Sequence, residues 1–206
     1  MKVPTYPGLI DNASVYGLPE SVKASKYPMQ TCTAECTDEV TKTTYKLAQA
    51  EIGSGHDNFM NGVVVQFDLT LTVKAWTELQ RYHFIDFVSS QSTMHRISKF
   101  DLDTSYSEYT DPRIVAIMKE KVREYNANPT DANYLKLLYS NPCGFKLTAR
   151  MTTNYRQLKT IYAQRHNHRL PEWKKFCDWI KNALPFGTQW LAGGEGREVE
   201  VGQSSQ

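Results

Sequence analysis

The chain has 206 residues, of which 40% are hydrophobic and 22% charged, and its formal net charge is +2. These values are typical of a globular domain with a sizeable core, and they argue against a disordered or uniformly basic chain. No apolar run approaches the roughly 20 residues that cross a bilayer, and the N-terminus lacks the apolar segment of a signal peptide. We therefore expect a cytoplasmic protein with no membrane partner and no direct contact with nucleic acid.

The N-terminal segment, residues 1–30, contains residues that interrupt regular structure, among them Pro4, Pro7, Gly8 and Pro28. We expect an irregular arm that lies over the body of the protein or over a neighbouring subunit. Residues 31–192 are predicted to form one domain, and residues 193–206 a flexible tail. Thr37 is the predicted N-cap of a helix that stops before Gly53.

The clearest strand runs from Val63 to Val73, where apolar side chains alternate with mostly polar ones. From Lys74 the hydrophobic period becomes helical, which predicts a helix through residue 87. One stripe of that helix consists of Trp76, Leu79, His83 and Phe87. His83 is thus predicted to be buried, and a lone histidine in such a place is more often a core residue than a catalyst.

The segment Ser89 to Arg96, SSQSTMHR, places small hydroxyls beside a guanidinium. These groups suit a phosphate monoester, although serine-rich runs also occur in ordinary loops. Residues 101–111 are predicted to form a surface loop. Two helices should follow, over residues 112–127 with Pro112 in the first turn and over residues 130–139 with Thr130 or Asp131 as the cap.

The stretch from 153 to 173 is the most informative part of the chain. At helical spacing, Asn154, Leu158, Ile161 and Arg165 fall on one stripe. Because an unpaired buried charge is costly, Arg165 and Asn154 should meet an anionic or hydrogen-bonding partner, either a ligand or another protein group. Arg165 could also extend its charged end to solvent, and the helix alone leaves these alternatives open.

Positive charge is concentrated in the same region. Between residues 150 and 175 there are seven Lys/Arg and one acid, Glu172. Such a local excess suits an anion pocket, whereas Lys159, Lys174 and Lys175 are predicted to lie on a solvated face. A final helix is predicted to start at Pro171.

The cysteines do not predict a metal site. Cys32, Cys36, Cys143 and Cys177 lack the paired spacing of zinc ligands, and the five histidines do not supply it. We expect reduced thiols and no metal. Cys143 follows a proline and is predicted to be a buried structural thiol, with a nucleophilic role as the alternative.

The order of these features is itself informative. A Gly55-His56 turn precedes an alternating strand that continues into Arg81-Tyr82-His83, a Ser/Gln run ends at Arg96, and an Asn-Tyr-Arg helix ends at Arg165. This arrangement resembles the flavin-dependent thymidylate synthases over residues 31–180, most strongly in 55–83 and 142–165. The resemblance implies an α+β single domain with an antiparallel sheet flanked by helices, and a homotetramer with active sites between subunits.

The resemblance also implies the site residues. The residues that would bind dUMP are Arg96, Arg165, Ser92 and Thr93. Arg165 would touch the pyrimidine and Arg96 the phosphate, while Tyr82 and His83 would line the cofactor side. The positions that would contact the flavin are Arg81, His83, His56, Asn154, Arg156 and Thr33.

The sequence departs from the family at several of these positions. The signature Arg-His-Arg is here Arg81-Tyr82-His83, a few residues are added before the Ser run, and Met94 replaces the last signature serine. A histidine does not supply the fixed charged fork of an arginine. The resemblance therefore implies FAD less directly than it implies a nucleotide.

The implied reaction is transfer of a one-carbon unit from methylenetetrahydrofolate to carbon 5 of dUMP, with hydride from reduced FAD and NADPH as its reductant. One alternative is a dUMP or dCMP hydroxymethylase with altered or lost flavin dependence, as in phage base modification. There Cys143 could add to carbon 6 of the ring. Another is an inactive nucleotide-binding homologue. The expected compartment is the cytoplasm of a bacterium, or of the host if a phage encodes the protein.

Overall fold

The structure, a computed structural model, describes residues 1–193. A four-stranded antiparallel sheet forms its centre, with the strand order β1-β2-β4-β3. The strands are β1 (Ile10–Tyr16), β2 (Val64–Thr72), β3 (Asp86–Ser90) and β4 (Lys146–Asn154). The predicted α+β fold with helices around an antiparallel sheet is confirmed.

Eight α-helices surround the sheet in the described part of the chain. They are α1 (Leu18–Ala24), α2 (Lys42–Ala48), α3 (Val73–Leu79), α4 (Thr93–Arg96), α5 (Pro112–Ala127), α6 (Asp131–Tyr139), α7 (Tyr155–Arg165) and α8 (Pro171–Asn182). A π-helical turn, Gly187–Leu191, follows α8. No helix among these residues is both long and apolar enough to cross a membrane.

The larger core lies between the sheet and helices α7 and α8. The alternation predicted for β2 is confirmed, because Val65, Phe67 and Leu69 are fully buried. Phe67 packs against the rings of Phe176 and Trp179 of α8. A second, smaller cluster joins α5 and α6 to Phe145, just before β4.

The prediction of an irregular N-terminal arm is wrong for residues 10–24, which form β1 and α1. β1 pairs with β2 and buries Ile10 and Val15 in the main core. Its register shifts between Asp11 and Ser14, and Asn12 has a positive φ of 50°. This bulge interrupts the alternation of side chains, so the strand lacks the two-residue period that identifies strands in a sequence.

The N-cap of α2 was also predicted wrongly. The helix starts after Thr41, whose hydroxyl accepts a hydrogen bond from the Thr44 backbone N–H at 3.3 Å. The Thr44 hydroxyl in turn accepts from the Thr41 N–H, which completes a capping box. Thr37 instead accepts a hydrogen bond from Lys26 Nζ.

The helix predicted for residues 74–87 is wrong beyond Leu79. The chain turns at Phe84, which has a φ of 62°, and then forms β3 alongside β4. His83 and Phe87 are exposed rather than buried. Hydrogen bonding to β4, with the Thr153 hydroxyl donating to the Phe84 carbonyl at 2.8 Å, outweighs the local helical period.

Three later helices agree with the sequence. α5 spans the predicted residues, α6 is capped by Thr130, and α8 starts at Pro171. The predicted tail lies, from residue 194 onward, outside the described residues.

Candidate functional site

The first group of predicted residues lies at the start of α7. The helix begins at Tyr155 rather than at residue 153, and Asn154 is its N-cap, accepting from the Gln157 N–H at 2.9 Å. Leu158 and Ile161 are fully buried, which confirms the apolar stripe. The Asn154 carboxamide oxygen therefore has a structural role, and its NH₂ group remains available to a ligand.

A cavity of about 450 Å³ opens beside this helix start. Asn154 and Arg156, two of the predicted flavin-contacting residues, line it together with Phe84. Its full lining is Ile52, Gly53, Asn61, Phe84, Asn154, Arg156, Gln157 and Thr160. The volume falls within the range of small-molecule sites.

A buried carboxylate holds the wall of this cavity in place. Asp57 is fully buried and accepts from Arg156 Nε at 3.0 Å and from Lys159 Nζ at 2.9 Å. Lys159 also donates to the carbonyls of Ala48 and Ala50 at the end of α2. The loop that carries His56 is thereby fixed against α7, although the His56 side chain itself is exposed.

The solvated position predicted for Lys159 is wrong, since the residue is only 8% exposed. The physical reason is the set of three acceptors around its ammonium group, which replaces the hydration lost on burial. Sequence reasoning missed the pairing of Asp57 with Lys159, because the two residues lie 102 positions apart in the chain.

Arg165 lies at the other end of α7 in a cluster of its own. Its Nε donates to the Tyr82 hydroxyl at 2.8 Å, and its Nη1 is 3.6 Å from Glu78 Oε2. The guanidinium also faces the rings of Tyr82 and Trp173, at 5.4 and 5.1 Å from their centroids. Arg165 thus meets groups of its own chain, one of the alternatives that the sequence left open.

The hydrogen bonds of this cluster have a defined direction. Burial raises the pKa of Tyr82, so its phenol is protonated at neutral pH and donates to Gln164 Oε1 at 2.9 Å. A hydrogen bond from Lys74, at 2.9 Å, lowers the pKa of Glu78, as do the charges of Arg81 and Arg165. Glu78 is therefore an ionised acceptor. Sequence reasoning missed it, although its spacing of four from Lys74 predicts that ion pair.

The predicted phosphate-binding residues form a third group. Ser92, Thr93 and Arg96 lie after β3, at the opposite end of that strand from Phe84. Their segment is held by α6, because the Tyr134 hydroxyl hydrogen-bonds the Thr93 carbonyl at 3.3 Å. Arg96 is exposed.

Asn154 and Arg165 do not meet within one chain. The eleven residues of α7 separate Asn154 from Arg165 by about 16 Å. Arg81 and His83 are exposed on the segment before β3, and Thr33 lies in an exposed turn far along the chain from both.

Cys143 is exposed, so its predicted burial is wrong. It lies in the turn before β4 and lines a separate cavity of about 810 Å³ with Lys74 and Arg169. The Cys143 carbonyl accepts the Lys74 N–H at 3.0 Å.

Cys177, by contrast, is buried, which raises the pKa of its thiol to about 12. No group of three or more metal-ligating side chains occurs within residues 1–193.

Comparisons with known proteins identify the fold. No protein-family model and no curated protein matches the sequence, but solved structures share the fold. The fold is that of the flavin-dependent thymidylate synthase ThyX. The ThyX of Helicobacter pylori, crystallised with FAD and dUMP, is 16% identical, with a TM-score of 0.66 over 89% of this chain and 97% of that one.

A second similar protein is the UMP/dUMP methylase PolB of Streptomyces cacaoi. Its complex with 5-Br dUMP is 13% identical and has a TM-score of 0.58, covering 83% of this chain and 89% of that one. Its complex with 5-Br UMP is 11% identical, with a TM-score of 0.56. At these identities the similarity establishes the fold alone.

The Asp57 cluster generates a stability prediction. Asp57→Ala leaves the buried ammonium group of Lys159 and the partly exposed guanidinium of Arg156 without their carboxylate. This loss should cost about 3 kcal/mol or more of unfolding free energy, mainly through Lys159. Urea denaturation followed by circular dichroism measures this loss. Asp103→Ala is the control, because the ion pair of Asp103 with Lys119 is exposed and should be worth less than about 1 kcal/mol. Equal losses for the two variants would contradict a supporting role for Asp57.

Proposed function

We propose that this protein transfers a one-carbon unit from methylenetetrahydrofolate to carbon 5 of a pyrimidine deoxynucleotide. The main support is the ThyX-like fold together with the position of Arg165, whose Nη atoms remain available beside Tyr82 and Glu78. The sequence resemblance implies dUMP as the nucleotide. Both solved neighbours bind a uracil nucleotide or its bromo analogue.

The chemistry explains why a fixed arginine is useful at such a site. Carbon 5 of the pyrimidine becomes nucleophilic only when electron density is pushed onto the ring, and negative charge then develops on the ring oxygens. N–H donors that are already in place stabilise that charge without further reorganisation. Tyr82 and Trp173 hold the Arg165 guanidinium in such a fixed orientation.

We propose FAD as a cofactor on the basis of the cavity beside Asn154 and Arg156. Arg156 uses its Nε for Asp57 and keeps its Nη atoms for an anionic group, and the Asn154 NH₂ can donate to a ring or a phosphate. These residues fit part of a flavin nucleotide. When bound and reduced, a flavin supplies hydride, and NADPH is the reductant implied for it.

We further propose a homotetramer with active sites between subunits. The support is the exposed edge strand β3, where Phe87 and Val88 are 49% and 59% exposed, flanked by the exposed Phe84 and Met94. Such an edge is normally covered in a stable protein. β3 also connects Phe84, which lines the cavity beside Asn154, to the segment of Ser92 and Arg96. A second chain packed on β3 would bring its own residues to both of these places.

The hydroxymethylase is the second candidate. It is favoured by Tyr82, which occupies the position of a signature histidine of the family. The Tyr82 hydroxyl accepts a hydrogen bond from Arg165 and donates one to Gln164. Water would then take the place of hydride. The nucleotide, methylenetetrahydrofolate and water give the 5-hydroxymethyl nucleotide and tetrahydrofolate, a balanced reaction without a reductant. The exposed Cys143 thiol is free for a nucleophilic role in this case.

One assay separates the candidates. The protein is incubated with 5-tritiated dUMP or dCMP and methylenetetrahydrofolate, with and without FAD and NADPH, and the products are identified by mass. Tritium release with a methyl product that requires FAD and NADPH supports the synthase, and release with a hydroxymethyl product without them supports the second candidate. Nucleotide binding with no release under any condition would contradict both and leave the inactive homologue.

Arg165→Ala should reduce nucleotide affinity by about tenfold or more, because charge-assisted hydrogen bonding to the ring is lost. Isothermal titration with dUMP and dCMP measures the effect, and thermal unfolding confirms that the variant is folded. Arg123→Ala removes the same charge from an exposed position on α5 and should bind like the wild type. Wild-type affinity in the Arg165 variant would remove that residue from the site.

The oligomer generates its own prediction. Val88→Lys places a charge on the exposed edge of β3 and should convert a tetramer into smaller species. Light scattering coupled to size exclusion gives the mass of each variant. Tyr139→Lys, a change at the exposed end of α6, is the control and should keep the wild-type mass. A wild-type chain that is monomeric would overturn the proposed assembly.

A further inference from the structure

A carboxylate lies directly beside the guanidinium that the proposed function places on the pyrimidine. Glu78 Oε2 is 3.6 Å from Arg165 Nη1, close enough for attraction and too far for a hydrogen bond. Both side chains are largely shielded, at 16% and 14% exposure. Among the described residues, Glu78 Oε2 and the two Nη atoms have no hydrogen-bond partner, so all three remain available to a ligand.

The remaining atoms of both groups are already fixed. Glu78 Oε1 accepts from Lys74 Nζ at 2.9 Å, and Arg165 Nε donates to the Tyr82 hydroxyl at 2.8 Å. The ring of Trp173 packs on the guanidinium. The cluster therefore presents three adjacent positions in a set order, which is one acceptor, Oε2, followed by two donors, Nη1 and Nη2.

The two pyrimidine bases differ in how they match this order. Cytosine presents a donor at its 4-amino group and then two neighbouring acceptors, N3 and O2. Uracil presents an acceptor at O4, a donor at N3 and an acceptor at O2. A guanidinium fork needs two adjacent acceptors, which cytosine has and uracil lacks.

Electrostatics favours the same base. Glu78 is an ionised acceptor and offers no proton. If uracil were bound, the Glu78 carboxylate would face the O4 carbonyl, and the two groups would repel each other. If the carboxylate instead accepted from the N3–H, it would repel the O2 and O4 carbonyls on either side. With cytosine it accepts from the 4-amino group while Arg165 donates to N3 and O2. A carboxylate that accepts from the cytosine amino group is the usual pairing in base recognition.

We propose that Glu78 is a specificity-determining residue and that it makes this site prefer a cytosine nucleotide, dCMP, over dUMP. The inference rests on the proposed function, because it requires Arg165 to contact the pyrimidine. It narrows the substrate of the same reaction to dCMP, and the product becomes a 5-substituted dCMP. A well-made set of base contacts corresponds to about tenfold to hundredfold discrimination.

The test compares the dissociation constants of dCMP and dUMP for the wild type and for Glu78→Gln, by isothermal titration on the full-length protein. The wild type should bind dCMP at least about tenfold more tightly. A glutamine whose oxygen still accepts from Lys74 presents its NH₂ group to the base, where this group opposes the 4-amino group of cytosine and can donate to O4 of uracil. The ratio of affinities should therefore fall by about tenfold or more, through weaker binding of dCMP together with tighter binding of dUMP.

Glu120→Gln is the matched control, since it removes one negative charge from an exposed position on α5 and should leave the ratio unchanged. A wild type that prefers dUMP, or a ratio that Glu78→Gln does not alter, would overturn this inference and leave the proposed function intact. Failure of the wild type to bind either nucleotide would overturn the proposed function itself. The tritium release from dCMP relative to dUMP should follow the same ratio in the wild type, so a defect in folding of the variant does not prevent a decision.

Discussion

The antiparallel pairing of β2 with β4 is the constraint on which the rest of the structure depends. Val64 lies opposite Asn154, and Thr72 lies opposite Lys146. Helix α7 therefore starts at the end of the sheet where β2 begins, while α3 starts at the end where β2 stops. Because α7 runs back along the sheet, its last residue, Arg165, arrives beside Glu78 at the end of α3.

Two arginines on α7 are each held by a side chain from another part of the chain. Arg156 uses its Nε to bind the buried Asp57, and Arg165 uses its Nε to bind Tyr82. In each case one side of the guanidinium is fixed by the protein and the Nη side is free. A cation held in this way loses little conformational freedom on binding an anion or a carbonyl, and this preorganisation suits a site for a charged nucleotide.

The ThyX-like fold restricts the function less than the local chemistry does. A fold can be retained while its substrate changes, since substrate choice depends on a few polar groups in the site. In the function proposed above those groups are Glu78, Tyr82 and Arg165, which lie in one cluster. Within a single chain this cluster lies about 16 Å from Asn154, at the other end of α7. The proposed packing of a second chain on the exposed edge of β3 would bring further residues to both.

Much of the fold was available from the sequence because it depends on local periodicity and capping. The alternation of β2, the Pro112 and Pro171 helix starts, and the buried pair Leu158 and Ile161 all follow from side-chain spacing and short-range hydrogen bonds. The family resemblance came from the same order of local elements, and the structural comparison agrees with it at the level of the fold.

Only the tertiary structure decided which partners meet across the chain. The sequence by itself determined that α7 carries a guanidinium at the end of an apolar stripe. It did not determine that Asp57 pairs with Lys159, that β3 replaces a predicted helix, or that Glu78 stands beside Arg165. These outcomes depend on contacts between residues far apart in the chain, where burial and hydrogen bonding outweigh local preference, and no periodic pattern encodes them.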